Sequence, residues 1–189
     1  MMNKMSNNNI VTPNNIDYEK ITMGDKITLG SGASFVNIKY NSGTNLLLQL
    51  PKATSFGVDA FEDTKTGDKK YTMSIQFKKE NIELDEKVKN AVDGLKEFET
   101  YIKDWAQKNS QEIFKKKVIS KDYIDATFNP ILKESKNKET EEPDGRYFTL
   151  KIKLKPSKKA EDKFDFGGFH SNKEKMNITC NLGKWTDGT

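Results

Sequence analysis

The chain has 189 residues, and 32 lysines and arginines stand against 28 acids. That length fits one domain with tails and buries a real core, while a net charge of +4 is too small to name a nucleic-acid partner by itself. A single cysteine, Cys180, excludes an internal disulfide; Cys180 and the lone His170 fall short of a four-ligand zinc site; the longest plainly aliphatic run, Leu46-Leu47-Leu48, is far below a membrane span.

Residues 1–9 are polar and asparagine-rich, unlike a secretory signal, so a soluble intracellular protein is expected and the Asn177-Ile178-Thr179 sequon is read as a chance match. Residues 1–15 hold too little apolar surface to offset the entropy of ordering and are expected to be a disordered tail. Residues 16–29 form a lead-in with scattered apolar positions, ended by Gly30-Ser31-Gly32. Residues 35–40 read as a first strand, turning through 41–45 into a hairpin partner at 46–50 that stops at Pro51. A glycine-punctuated loop around Phe56-Gly57-Val58 follows. The third strand is the clearest, since Tyr71, Met73, Ile75 and Phe77 alternate with Thr72, Ser74, Gln76 and Lys78.

Leu84, Val88, Ala91, Val92, Leu95, Phe98, Ile102 and Trp105 recur at three- and four-residue steps and draw one apolar stripe along about six helical turns. Trp105 is read as part of that stripe, hence as core. Gly94 interrupts the stripe at a cost of about 1 kcal/mol against alanine, and nothing in the sequence accounts for it. Lys115-Lys116-Lys117 suit a helix C-terminus as well as they suit phosphate. Ser120 is a natural N-cap for a short helix through Phe128, and 128–135 reads as a fourth strand. An acidic loop, 136–146, leads to the fifth strand, 147–155. There alternation sends Phe148, Leu150, Ile152 and Leu154 to one face and Tyr147, Thr149, Lys151, Lys153 and Lys155 to the other. A charged linker and one more candidate strand at 176–182 complete the chain.

Three strands, a long helix and two strands is the order of an OB fold. The expected class is therefore mainly β (α+β), a five-stranded antiparallel OB-like barrel with its helix between strands three and four. It spans residues 16–166, with a C-terminal extension at 167–189.

No catalytic constellation accompanies this order. His170 and Cys180 are too weakly framed to serve as base and nucleophile, and Gly30-Ser31-Gly32-Ala33-Ser34 lacks the lysine of a phosphate-binding loop. No enzyme activity, metal or cofactor is expected. What the sequence does carry is lysine beside aromatic residues at strand ends. Lys39 and Tyr40, Lys70 and Tyr71, Lys78, and Tyr147 with Lys151, Lys153 and Lys155 are the candidate nucleic-acid contacts. Lysines neutralise phosphate and release counterions, and a ring stacks on a base at about 1–3 kcal/mol. The alternating fifth strand is equally what any half-solvated sheet shows.

The run Leu46-Leu47-Leu48-Gln49-Leu50-Pro51, then Phe56-Gly57-Val58, the strand at 71–77, the Trp105-bearing helix, Phe128-Asn129-Pro130-Ile131-Leu132-Lys133 and the strand at 147–154 follow in a distinctive order. Across roughly 35–155 this resembles the podophage-type single-stranded-DNA-binding proteins of nucleocytoplasmic large DNA viruses. The resemblance implies an OB fold and a protein that coats single-stranded DNA in viral replication, recombination and repair. It implies the host cytoplasm at the site of viral replication, or the virion, as location. Viral replication proteins and a second copy of the chain are the further partners expected, and a membrane is not. The acidic tail with a terminal aromatic, which recruits partners in related phage proteins, has no counterpart in 173–189; Glu161-Asp162-Lys163-Phe164-Asp165-Phe166 is similar but internal.

Two rival expectations stand beside this one. A structural or virion-associated protein would use the barrel for protein contacts, with acids interspersed among the lysines. A metal nuclease would need carboxylates that meet only in the fold.

Overall fold

The computed structural model describes residues 10–41, 43–64, 67, 69–114 and 119–156. The chain is mixed α+β with mostly antiparallel sheets, and among the described residues no sheet closes into a barrel. It divides into two units: the described residues up to Lys52 with Glu80–Ile131, and Ala53–Lys79 with the described residues from Leu132. The expected α+β class with antiparallel strands is thus found, whereas the five strands expected to form one barrel are distributed over separate sheets among the described residues.

The first unit is organised by a helix. Helix α1 (Lys79–Leu84) ends at Leu84, which is 87% exposed, and Asp85 leaves helical geometry to cap α2 (Glu86–Lys108), its carboxylate accepting from Lys87 N at 2.8 Å. The apolar stripe therefore begins at Val88 and buries Val88, Ala91, Val92, Leu95 and Phe98. Trp105 is only half-buried and stands outside that set, which corrects its reading as core.

Gly94 now has its reason. A Cβ there would lie 2.3 Å from the carbonyl carbon of Pro13 and 2.4 Å from Asn14 N, so a 3-10 turn, Pro13–Asn15, packs directly on the helix backbone. Strand β1 (Ile10–Val11) enters that turn and pairs in parallel with β5 (Leu47–Leu48). Residues 10–15 are consequently structured, and the expected disordered tail is corrected for them; 1–9 lie outside the described residues. Gly94→Ala is expected to lower stability by about 1–3 kcal/mol through this overpacking, in place of the gain of about 1 kcal/mol that helix propensity alone predicts. Urea denaturation of the two proteins reads the sign directly.

The lead-in at 16–29 contains strand β2 (Ile21–Thr28), which forms an antiparallel hairpin with β3 (Ser34–Tyr40). Its register shifts between Met23 and Lys26, so the period-two pattern is broken and the strand is masked in the sequence. Residues 46–50 are not a simple hairpin partner either: β4 (Thr44–Asn45) pairs with β3, while β5 turns to β1. Ile16, Ile21, Tyr40 and Phe98 form the buried cluster at this end, with Ile38 and Leu48 packed against it. Helices α3 (Ser110–Phe114) and α4 (Lys121–Thr127) follow, the latter capped by Ser120 Oγ accepting from Tyr123 N at 3.2 Å. Glu99 accepts from Ile131 N at 2.7 Å and pairs with Lys103 at 2.8 Å; Lys103 also reaches Asp125 at 3.1 Å and lies 5.1 Å from the Phe128 ring centre. The hydrogen bond that Lys103 donates to Glu99, and then the one it donates to Asp125, push its ammonium above the ordinary range against the cost of desolvation.

The second unit is a four-stranded antiparallel sheet in the order β6 (Thr54–Glu62), β7 (Lys69–Lys78), β9 (Pro143–Leu154), β8 (Leu132–Lys136). Strand β6 occupies the segment expected to be a loop. Its register with β7 shifts between Ser55 and Val58, and Gly57 takes φ +96°, the left-handed region that glycine tolerates, with its N–H on Ser55 Oγ at 3.3 Å. Two hairpins thus lie side by side through β7 and β9, an eight-pair register from Tyr71 opposite Leu154 to Lys78 opposite Tyr147.

Candidate nucleic-acid interface

Register decides which side chains share a face. Directly opposite residues in an antiparallel pair point to the same side of the sheet. Tyr71 opposite Leu154, Met73 opposite Ile152, Ile75 opposite Leu150 and Phe77 opposite Phe148 therefore define an apolar face. Phe77 is 1% exposed, and Tyr71 packs with Val58, Ala60 and Leu154.

The other face is polar and basic. Thr72 faces Lys153, Ser74 faces Lys151, Gln76 faces Thr149 and Lys78 faces Tyr147. Strand β8 adds Lys133 opposite Thr149, and β6 adds Asp59 opposite Thr72 and Phe61 opposite Lys70. Lys70, Lys78, Lys133, Lys151 and Lys153 are all exposed. Among the described residues none of the five has a carboxylate within ion-pairing distance, and Asp59, on the edge strand, is the acid that shares their face. Unpaired lysines on one face are what a polyanion needs, since no internal partner must first be displaced.

Tyr147 is held by its backbone. Its N–H donates to Ser135 Oγ at 3.1 Å, and the Ser135 hydroxyl donates to Asp144. Asp144 also accepts from Arg146 N at 3.2 Å and Arg146 Nε at 2.7 Å, and the Arg146 guanidinium lies 6.0 Å from the Tyr147 ring centre. The Ser135 hydroxyl, helped by the Arg146 backbone N–H and guanidinium against a cost of desolvation, holds the Asp144 carboxyl below the usual carboxylate range. Any stability this contributes is present above the ordinary carboxylate pKa and lost as pH falls through the lowered one.

The nine expected contacts are not all on one face. Lys70, Lys78, Tyr147, Lys151 and Lys153 come together on the basic face, and Lys155, exposed just past β9, continues their parity. Tyr71 has the opposite parity and is 9% exposed, so its ring faces the apolar cluster and the expectation that it stacks on a base is corrected. Tyr40 is corrected likewise: it is 4% exposed in the first unit, its hydroxyl accepting from Asp17 N at 3.3 Å. Lys39 is exposed on the first unit's β2–β3 hairpin, not on the basic sheet. The aromatic residue that shares its parity is Phe35, 43% exposed. Lys115 to Lys117, Lys158, Lys159, His170, Cys180, the candidate strand at 176–182 and the extension at 167–189 lie outside the described residues.

Three further exposed candidates were not singled out by the sequence. Phe61, 62% exposed, was hidden inside a segment read as loop, and Lys133 sits on a strand too short to show its parity. Phe35 could have been found, because it stands four positions from Lys39 in a strand already recognised.

Among the described residues no group of three or more histidine, cysteine, aspartate or glutamate side chains is placed to hold a metal ion. No helix among them is long and apolar enough to cross a membrane. Compared with protein-family models, with curated proteins and with solved structures, the chain finds no match.

Proposed function

We propose that this protein binds single-stranded DNA with little sequence preference, as a coating protein without catalytic activity. One observation carries the reading: among the described residues, five lysines without a carboxylate partner share a sheet face with Tyr147 and Phe61, and one acid, Asp59, stands at its edge. Lysines that contact phosphate release counterions in any sequence context, and rings accept any base face. A duplex keeps its base faces stacked inside and offers such rings nothing, so single strands are preferred. The wider role follows from the resemblance to the viral single-stranded-DNA-binding proteins: replication, recombination and repair of a viral genome in the host cytoplasm, with viral replication proteins as partners. The OB-fold reading rests on element order, with β6 and β7 before the helices and β8 and β9 after them.

The test is a fluorescence-anisotropy titration with single- and double-stranded oligonucleotides of equal length across a salt series. We expect tighter single-strand binding, with log K falling linearly against log salt by about 0.7 per phosphate contacted. Equal affinity for duplex, or a response flat in salt, sinks the proposal.

A second reading, protein contacts in a structural or virion-associated role, has its own observation. At the far end of the β2–β3 hairpin Ile27, Leu29 and Phe35 are 41%, 50% and 43% exposed. Such an apolar tip suits a protein partner, a second copy of the chain included, better than it suits a phosphate backbone.

A further inference from the structure

The basic face has an aromatic ring near each end. Phe61 stands opposite Lys70 at one end of β7, and Tyr147 stands opposite Lys78 at the other. Eight residue steps separate Lys70 from Lys78, roughly 27 Å at about 3.4 Å per residue. A ring 62% exposed on an edge strand, beside lysine and away from the apolar cluster, contributes nothing to the core that β6 covers with Val58 and Ala60.

Resting on the single-strand reading above, we infer that Phe61 is a second base-stacking platform, and that one bound strand spans from Phe61 to Tyr147 along the lysines between them. The span sets a minimum length. Three nucleotides stacked at about 3.4 Å each cover only about 10 Å, and even stretched they fall short of both rings. A trinucleotide therefore occupies one end or the other, whereas an oligomer of about twelve engages both, within the range of site sizes known for single-strand binders.

Anisotropy titrations of the full chain with oligothymidylates of about three and about twelve nucleotides separate the possibilities. On the longer strand, Phe61→Leu is expected to weaken binding about 5- to 150-fold, which is the range of one lost stack, with the salt slope unchanged. Its loss adds to that of Tyr147→Ala, as expected for distant sites on one ligand. On the trinucleotide either substitution alone leaves the other platform and costs only about twofold, while the pair together removes stacking altogether.

Leucine keeps the apolar bulk and removes the π-face, so a simple apolar contact would survive it. Phe61→Trp restores wild-type binding and guards against a folding defect. Wild-type affinity of Phe61→Leu for the longer strand, equal losses on both strands, or failure of the tryptophan variant to bind overturns the inference while single-strand binding itself stands. If the wild-type chain binds neither oligonucleotide, the single-strand reading falls and takes this inference with it.

Discussion

Phe98→Ala is expected to cost about 3–5 kcal/mol of stability, the range for deleting a buried aromatic side chain and leaving a cavity. Phe98 is 7% exposed and sits in the cluster formed by Ile16, Ile21 and Tyr40. That cluster joins the central helix to the β2–β3 hairpin and the N-terminal segment. Neighbours tied down by strand pairing and by the helix backbone can collapse only partly into the space, so the upper half of the range applies. Urea denaturation reads the loss as a lower midpoint at unchanged slope. A cost under about 1 kcal/mol would show that the site relaxes freely and that the cluster is not a packed core. Any loss of DNA binding should follow the loss of folded protein, since Phe98 carries no contact group.

Lys151→Ala with Lys153→Ala is expected to do the reverse. Both side chains are exposed and, among the described residues, have no acid partner, so the melting temperature should barely move. Single-strand affinity should fall, and the slope of log K against log salt should flatten by about 1.4, twice the value for one single-strand phosphate contact. Tyr147→Ala completes the comparison. Its backbone bond to Ser135 survives the substitution, so the strand end keeps its place. The lost ring should cost about 1–3 kcal/mol of binding and leave the slope nearly unchanged, because a stack releases no counterions. If the double lysine variant binds as wild type does, the lysines are only a solvated face, and the protein-contact reading takes precedence.

What was legible in the sequence is what local geometry writes there. Parity in β7 and β9 could be read because each is a continuous strand, and period two needs nothing beyond the strand to appear. The stripe of α2 and the Ser120 cap are local in the same way. The separation of Lys151 and Lys153 from Phe148 and Leu150 followed from parity alone.

Tertiary structure decided the rest, for three physical reasons. A bulge inserts an unpaired residue and shifts the parity of everything after it, which hid β2 behind its irregularity at Met23 and β6 behind Gly57, and Phe61 with it. Close approach of distant segments leaves no trace in either segment alone: Gly94 reads as a flaw in a helix until Pro13 is found against it. Finally, parity divides a strand into two faces without saying which is covered. Tyr40 and Tyr71, which follow Lys39 and Lys70, look like Tyr147, which follows Arg146. They differ because packing buried the face that carries the first two and left the face that carries Tyr147 beside the lysines.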